Sequence, residues 1–264
     1  MNKNTYNRKN TVVLEICRWS MIIGTLASGV YAIGMKNWLF AALAVFQSVL
    51  LYAPEAVERL FHIRMTVTLK ILLMAWIFGS IALGTIFDLY YKIRWWDLLM
   101  HGACGVLLAG VGMALPEMLD QKGKAEPSLL YRIVSAFCFS LALGFLWELC
   151  EFAVFRLFQR DMQRDVVLNT FATSYFTNQD AVSDVFTGVT KMILETDQGI
   201  ITVPGYLDIG FFDTLEDSLV HLAGSVFFLL LTVIGRGKLT RLFIPLRCDM
   251  PGQNGRNRAP HPSV

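Results

Sequence analysis

The sequence has few charged residues for its length. Only 17% of its 264 residues are Asp, Glu, Lys or Arg, and 55% are hydrophobic, whereas soluble domains have about 25% charged residues. The charges also cluster between long apolar runs. This shortage argues against a water-soluble core and indicates a protein that lies in a lipid bilayer.

Several other features are scarce or absent. A net charge of +2 is too small to suggest nucleic acid as a partner. No phosphate-binding loop, nucleotide motif or nucleophile elbow is present, which argues against ATP-driven chemistry. Five cysteines cannot all pair with one another, and most lie in apolar runs where cysteine acts as a small hydrophobe. No disulfide framework is therefore predicted.

Six stretches are long and apolar enough, or nearly so, to cross a bilayer, which requires about 20 mostly apolar residues. The first contains Glu15 and Arg18, interpreted as a local ion pair or snorkelling contact, and no cleavage site follows it, so we predict a retained helix. The second is the shortest and ends at Pro54. The predicted fold is an all-α polytopic membrane protein with about six transmembrane helices in a single domain, 1–248. The spans are about 12–34, 37–53, 67–91, 95–118, 131–158 and 213–234.

Lysine and arginine in the short loops predict the orientation of the spans. More of these bases lie on the side of the amino terminus, so we expect both termini to be cytoplasmic. The tail 249–264 is rich in Pro, Gly, Asn and Arg and is predicted to be disordered. The bases on this side are Lys3, Arg8, Lys9, Arg59, Arg64, Lys122, Lys124, Arg236, Lys238, Arg241 and Arg247, against Lys36, Lys92 and Arg94 opposite.

A long loop over 159–212 separates the fifth and sixth spans and would be extracytoplasmic. Loops longer than about 12–15 residues are uncommon unless they are functional or disordered, and the aromatic residues here argue against a flexible linker. The pattern over Asn178–Thr196 is consistent with a short amphipathic helix. The stretch Gly199–Phe212 is consistent with a hairpin or an apolar flap.

Two spans begin with aspartate and histidine at helical spacing. Asp97 and His101 open the fourth span, and Asp213, Asp217 and His221 open the sixth. Residues four apart share one helix face, so each span should present a polar stripe. Both stripes contain Asp-x-Leu-x-His followed by small residues, which permit close approach between helices. We therefore expect the two Asp/His pairs to face each other.

Further acids lie at the matching ends of two other spans. Glu148 and Glu151 lie near the end of the fifth span, and the third ends near Asp88. Because successive spans alternate in direction, all four groups should reach a similar depth at the extracytoplasmic end. Buried charges in a membrane are expensive, and bound cations, shared protons or water access would each relieve them. The groups are therefore consistent with a metal site, a proton or ion pathway, or structural polar packing.

Several motifs follow one another over residues 90–235: Trp96-Asp97-x-x-x-His101, Leu-Trp147-Glu148-x-x-Glu151-Phe152, Asp161-Met162-Gln163 and Gly210-x-x-Asp213-Thr214-x-x-Asp217. In these residues the sequence resembles the uncharacterised YjdF-like bacterial inner-membrane proteins, which are distantly similar to VanZ-like proteins. The resemblance implies a multi-pass protein of the bacterial cytoplasmic membrane. By analogy with VanZ-like proteins, it also points towards the cell envelope.

Two histidines with several carboxylates suit Zn²⁺, Mn²⁺ or Fe²⁺. The first hypothesis is thus a metal-dependent membrane hydrolase or modifying enzyme acting on a lipid or lipid-linked envelope molecule, with membrane lipids as partners. The alternatives are an ion- or proton-coupled transporter that uses the same acids, and a non-catalytic envelope assembly factor. The predicted metal ligands are Asp97, His101, Asp213, Asp217 and His221, and the predicted catalytic bases are Glu148 and Glu151.

Overall fold

The computed structural model describes residues 3–61, 63–119, 127–176, 183–235 and 246–247. The predicted disordered tail 249–264 lies outside these residues. Within them, five helices are long and apolar enough to cross a membrane, and a bent helix pair makes a sixth candidate span. The predicted all-α polytopic fold with about six spans is thus confirmed. The five spans are Asn10–Gly34, Val67–Ile86, Trp96–Pro116, Leu129–Phe158 and Phe211–Ile234.

The secondary structure is mainly helical, with short strands between the last two long helices. The helices are α1 (Lys3–Gly34), α2 (Trp38–Leu50), α3 (Ala53–Phe61), α4 (Val67–Phe78), a π-helix that continues α4 (Gly79–Ile86), α5 (Leu89–Lys92), α6 (Trp96–Leu119), α7 (Leu129–Phe158) and α8 (Phe211–Ile234). The strands are β1 (Ile63–Arg64), β2 (Val166–Leu168), β3 (Thr170–Thr173), β4 (Asp184–Thr187), β5 (Met192–Thr196), β6 (Gly199–Val203), β7 (Tyr206–Asp208) and β8 (Leu246–Arg247).

The second predicted span is the bent pair formed by α2 and α3, whose axes differ by 45°. The side chain of Asn37 accepts a hydrogen bond from the Phe40 amide and caps the start of α2. Pro54 disfavours helical geometry in the residue before it, and α2 ends at Leu50. Pro54 is tolerated in the first turn of α3, where its missing N–H is not needed. The shortness of the second predicted span therefore reflects this bend.

The third predicted span changes its helical form halfway. Thr66 caps the start of α4 by accepting from the Leu69 amide, and from Gly79 the chain follows the wider π-helix to Ile86. Asp88 then adopts the left-handed conformation with φ 66°, which non-glycine residues rarely adopt. This turn ends the span before residue 91, where the sequence alone placed its end.

Contacts between Cα atoms divide the chain into two units, residues 1–142 with 221–264, and residues 143–220. The division passes through α7 and α8, each of which is one continuous helix. In the first unit, one apolar cluster joins side chains of α4, α6, α7 and α8, and another joins α1, α4 and the end of α2. The buried residues are Leu69, Leu107, Ala109, Met113, Ala136, Phe228 and Leu229 in the first cluster, and Leu14, Ile22, Leu51, Met74 and Ile77 in the second.

An ion-pair network joins α1, α3 and α4 in the same unit. The predicted Glu15–Arg18 pair is present, with Nη1 of Arg18 2.6 Å from Oε1 of Glu15. Arg18 also pairs with Glu55, which is 3.4 Å from Nζ of Lys70. Lys70 pairs in turn with Glu58 at 2.6 Å. Arg18 is therefore buried in ion pairs and does not snorkel. It belongs to a five-residue network that links α3 to α1 and α4.

In the residues of the second unit that the structure describes, there are three antiparallel strand pairs, β2 with β7, β3 with β4, and β5 with β6. The predicted amphipathic helix over 178–196 is wrong from residue 184 onward, since β4 and β5 lie there; 177–182 lie outside the described residues. The first residues of β5 alternate in burial, as in a strand, and Met192 and Leu194 pair with Val203 and Ile201. The stretch 199–212, interpreted as a hairpin or an apolar flap, does not form a hairpin of its own, since β6 pairs with β5 and β7 pairs with β2.

Candidate functional site

Helices α6 and α8 touch through their backbones. A Cβ atom added to Gly105 would lie 2.1 Å from the carbonyl oxygen of His221. One added to Gly224 would lie 2.2 Å from the carbonyl oxygen of Gly102. Neither position has room for a methyl group. The small residues after the two Asp-x-Leu-x-His stripes thus allow the close helix approach that the sequence predicted.

His221 is held at this crossing by a serine of α7. Its Nε2 atom lies 3.0 Å from the Ser140 hydroxyl and 3.0 Å from the Ser140 carbonyl oxygen. The Ser140 hydroxyl is also 2.8 Å from that of Ser225 and 3.2 Å from the Gly105 carbonyl oxygen. All three polar side chains are buried. Sequence reasoning missed Ser140, because one neutral serine in an apolar helix carries no signal.

Asp97 and His101 lie one turn apart at the start of α6. Nε2 of His101 is 3.6 Å from Oδ1 of Asp97, and their side chains are 11% and 16% exposed. The helix begins at Trp96, so Asp97 lies in the first turn. A carboxylate in a first turn is favoured by the helix dipole. The four-residue spacing places the aspartate and its histidine on the same helix face.

The start of α8 is fastened to the segment that precedes it. Asp208 accepts a hydrogen bond from the Phe212 amide at 2.9 Å, and Asp213 accepts one from the Arg164 amide at 2.7 Å. Gln163 donates to the Thr214 hydroxyl at 2.6 Å. Asp213, a predicted metal ligand, thus binds a loop amide through one oxygen. Its role as a ligand stays a prediction.

Three aspartates lie close together near this attachment: Asp161, Asp165 and Asp208. Burial raises the pKa of Asp165 above its usual value, and the nearby carboxylates of Asp161 and Asp208 raise it further. An aspartic acid in such a position keeps its proton to a higher pH than one in free solvent. The clustering of acids at this end, expected from the sequence, therefore extends into the loop.

Within the described ranges, Asp97, His101 and Asp217 together can hold a metal ion. Each offers one ligand atom, and these atoms all lie within 4.8 Å of one another. Asp217 is 2% exposed and lies one turn before His221 on the continuous helix α8. Two carboxylate oxygens and one imidazole nitrogen are a donor set suited to divalent transition metals. The group unites three of the five predicted ligands, and His221, like Asp213, lies outside it.

The two glutamates of α7 are also buried. Glu148 and Glu151 are each 6% exposed, and Trp147 donates a hydrogen bond from Nε1 to Oε1 of Glu151 at 2.8 Å. A buried carboxylate needs polar partners. The indole of Trp147, one helical turn before Glu151, supplies one of them. The general-base role of these glutamates stays a prediction.

Comparison with known proteins places the chain in a family. Neither a curated protein nor a solved structure matches it. A family of predicted membrane proteins, DUF2238, matches residues 14–238 and so includes both Asp/His helices. Its description gives a membrane location and no activity, so the finer resemblance to YjdF-like and VanZ-like proteins stays a prediction. The chain belongs to the DUF2238 family of predicted membrane proteins.

Proposed function

We propose that the protein is a metal-dependent membrane hydrolase whose centre is a divalent transition-metal ion, Zn²⁺, Mn²⁺ or Fe²⁺. The convergence of Asp97, His101 and Asp217 carries the proposal, because their ligand atoms lie within 4.8 Å of one another. Three protein ligands leave a coordination position open for water, as in catalytic zinc sites. Purely structural zinc sites usually use all four positions for protein ligands.

A metal ion held by Asp97, His101 and Asp217 would bring the pKa of a bound water close to neutrality and so supply a nucleophile. In the proposed reaction the oxygen of this water would bond to the carbonyl carbon or phosphorus of an ester. Glu148 or Glu151 accepts the water proton and passes it to the leaving alcohol as the ester bond breaks. Both glutamates are buried, and burial keeps bulk water away from such a proton acceptor.

The proposed substrate is a lipid or a lipid-linked envelope molecule, because the candidate ligands lie on helices that are apolar enough to span a membrane. The lysine and arginine bias of the short loops supports an extracytoplasmic site with both termini in the cytoplasm. The resemblance to YjdF-like proteins supports the bacterial cytoplasmic membrane as the location.

Metal analysis tests the centre directly. Detergent-purified protein should contain about one transition-metal ion per chain, as three-ligand catalytic sites do. Asp97→Asn, His101→Ala and Asp217→Asn should each weaken metal binding by more than about 100-fold, beyond the losses typical of groups behind the ligands. Glu216→Gln is the matched control, because Glu216 is an exposed acid next to Asp217 and its loss should leave the metal content unchanged.

The competing hypotheses make a different prediction for the same preparation. Wild-type protein without metal, and without a thermal shift on adding Zn²⁺, Mn²⁺ or Fe²⁺, would contradict the metal centre. Such a result would favour a proton pathway or polar packing. If Glu216→Gln lost as much metal as the three ligand variants, net charge and not this ligand set would control the metal content.

Variants of the glutamates separate catalysis from folding. Glu→Gln keeps the side-chain shape and one carbonyl oxygen, so the bond from Trp147 to residue 151 can persist. One of Glu148→Gln or Glu151→Gln should keep normal thermal stability and metal content and yet fail in a complementation assay, because a general base contributes about 10²–10⁴-fold to rate. If both variants complement fully, the general-base assignment is wrong.

A further inference from the structure

We infer that Thr25 of α1 and Gln47 of α2 form an internal hydration site, in which at least one water molecule bridges the two side chains. Both residues belong to the first unit of the chain, and the site does not depend on the proposed metal centre. Its ligand is the smallest molecule that both donates and accepts hydrogen bonds.

Both side chains of this site are polar and fully buried. Thr25 and Gln47 are each 0% exposed, and they lie within candidate membrane spans. The Thr25 hydroxyl and both polar atoms of the Gln47 amide have no hydrogen-bond partner among the residues that the structure describes. A buried amide or hydroxyl costs free energy unless a hydrogen bond replaces its lost hydration. These three atoms therefore require a partner other than the described protein groups.

The two side chains lie at almost the same level of the antiparallel pair α1 and α2. A Cβ atom added to Gly29 would lie 3.0 Å from Cβ of Ala44, so these two residues face each other. Thr25 lies four residues before Gly29, and Gln47 lies three residues after Ala44. Because the helices are antiparallel, the two levels differ by one residue, which is about 1.5 Å along the axis. Residues three or four apart share a helix face, so Thr25 and Gln47 both face the neighbouring helix.

The hydroxyl of Thr25 differs from three serine hydroxyls on the same two helices. Ser20 and Ser48 donate to carbonyl oxygens four residues earlier, at 2.8 and 2.9 Å, and Ser28 donates to the Thr25 carbonyl oxygen at 2.6 Å. A bond to the backbone of its own helix is the usual way for such a hydroxyl to obtain a partner. Thr25 makes no such bond among the described residues, which leaves its hydroxyl for a group between the helices.

Close packing above and below the site limits the ligand to water. One turn away, the helices approach closely at Gly29 and Ala44. One turn in the other direction, Ile22 and Leu51 belong to the same buried apolar cluster. Water can accept a hydrogen bond from the Gln47 amide nitrogen and donate to either oxygen of the site. Buried waters typically make about three hydrogen bonds to groups that lack protein partners, and the site offers three such atoms.

Water-edited solid-state NMR of nitrogen-15-labelled protein in lipid tests for the bridging water. It measures the transfer of magnetisation from water protons to the Gln47 side-chain amide, whose signal is the one lost in Gln47→Met. We expect transfer from water to this amide although the residue lies in a membrane span. A signal without such transfer would overturn the inference, and so would a direct hydrogen bond between the amide and the Thr25 hydroxyl.

Substitutions on α1 separate a bridge from a general change of packing. Thr25→Val keeps the side-chain shape, and the transfer to Gln47 should fall by about twofold or more, because the water loses one of about three partners. Thr25→Ser keeps the hydroxyl and should keep the transfer. Ser28→Ala is the matched control, because Ser28 is equally buried and its hydroxyl already has a backbone partner. Equal losses of transfer in Thr25→Val and Ser28→Ala would contradict the bridge.

Unfolding temperatures provide an independent measurement of the same pair. Removing one partner from a buried polar contact costs more than replacing both partners with apolar groups of the same shape. Thr25→Val combined with Gln47→Met should therefore unfold about 2–4 °C above Thr25→Val alone, the shift expected for about one hydrogen bond in a chain of this size. If the losses of the two single variants simply add, the side chains act independently and the bridge is wrong.

Discussion

Gly105→Ala is expected to destabilise the protein by more than about 3 kcal/mol, at or beyond the upper end of ordinary overpacking. The new methyl carbon would lie 2.1 Å from the carbonyl oxygen of His221. A backbone atom cannot rotate away as a side chain can, so α6 and α8 would have to separate. Thermal unfolding in detergent measures the loss of stability. Metal content should fall in the same variant, because Asp97 and Asp217 lie on these two helices.

Gly224→Ala should behave like Gly105→Ala, since its methyl group would meet the Gly102 carbonyl oxygen from the opposite helix. Gly34→Ala is the control, because a Cβ at Gly34 meets nothing within 4 Å. That change should be neutral or stabilising by up to about 1 kcal/mol, the helix preference of alanine over glycine. If Gly105→Ala unfolds at the wild-type temperature, the helices do not approach this closely.

Glu55→Gln is the second substitution with a large expected effect. Glu55 pairs with both Arg18 and Lys70, which are 3% and 9% exposed. Without the charge of Glu55, the buried side chains of Arg18 and Lys70 would each keep only one carboxylate partner. Removing one partner from a buried ion pair costs about 3–5 kcal/mol, and we expect a loss at the lower end, since Glu15 and Glu58 remain. Thermal unfolding across salt concentrations measures it, and the loss should persist at high salt.

Glu15→Gln is the matched control for this network. Glu15 also pairs with Arg18, but its side chain is 43% exposed, and an exposed pair contributes about 1 kcal/mol or less. Each variant removes the charge of one glutamate that pairs with Arg18. The two glutamates differ mainly in their burial and in the contact of Glu55 with Lys70. Equal, small effects would show that the network does not bear on stability.

Hydropathy predicted the spans well because membrane insertion is a local property of about 20 residues. The predicted span 131–158 compares with α7 at Leu129–Phe158. The π-helix at Gly79–Ile86 was not predicted, because hydropathy depends on which residues are present and not on which helical form the chain adopts. The strands β4 and β5 were mistaken for a helix, because short apolar runs fit either period.

The candidate site was partly predictable for a similar reason. Helical spacing placed Asp97 with His101, and the alternating direction of the spans brought Asp217 to the same end. The partners of the other groups depend on tertiary contacts between distant segments. The Arg164 amide that binds Asp213 and the Ser140 oxygens that bind His221 leave no mark in the sequence pattern.

The attachment at the start of α8 has a consequence for how the segment between α7 and α8 can evolve. Hydrogen bonds from Gln163 and Arg164 to Thr214 and Asp213 close this loop at its base. Doubling the length of a closed flexible loop costs only about 0.6 kcal/mol. The hairpins beyond the closure can therefore gain or lose residues, or exchange their surface, without moving the first turn of α8. Variation in the loop is thus separated from the geometry of the polar stripe that begins with Asp213.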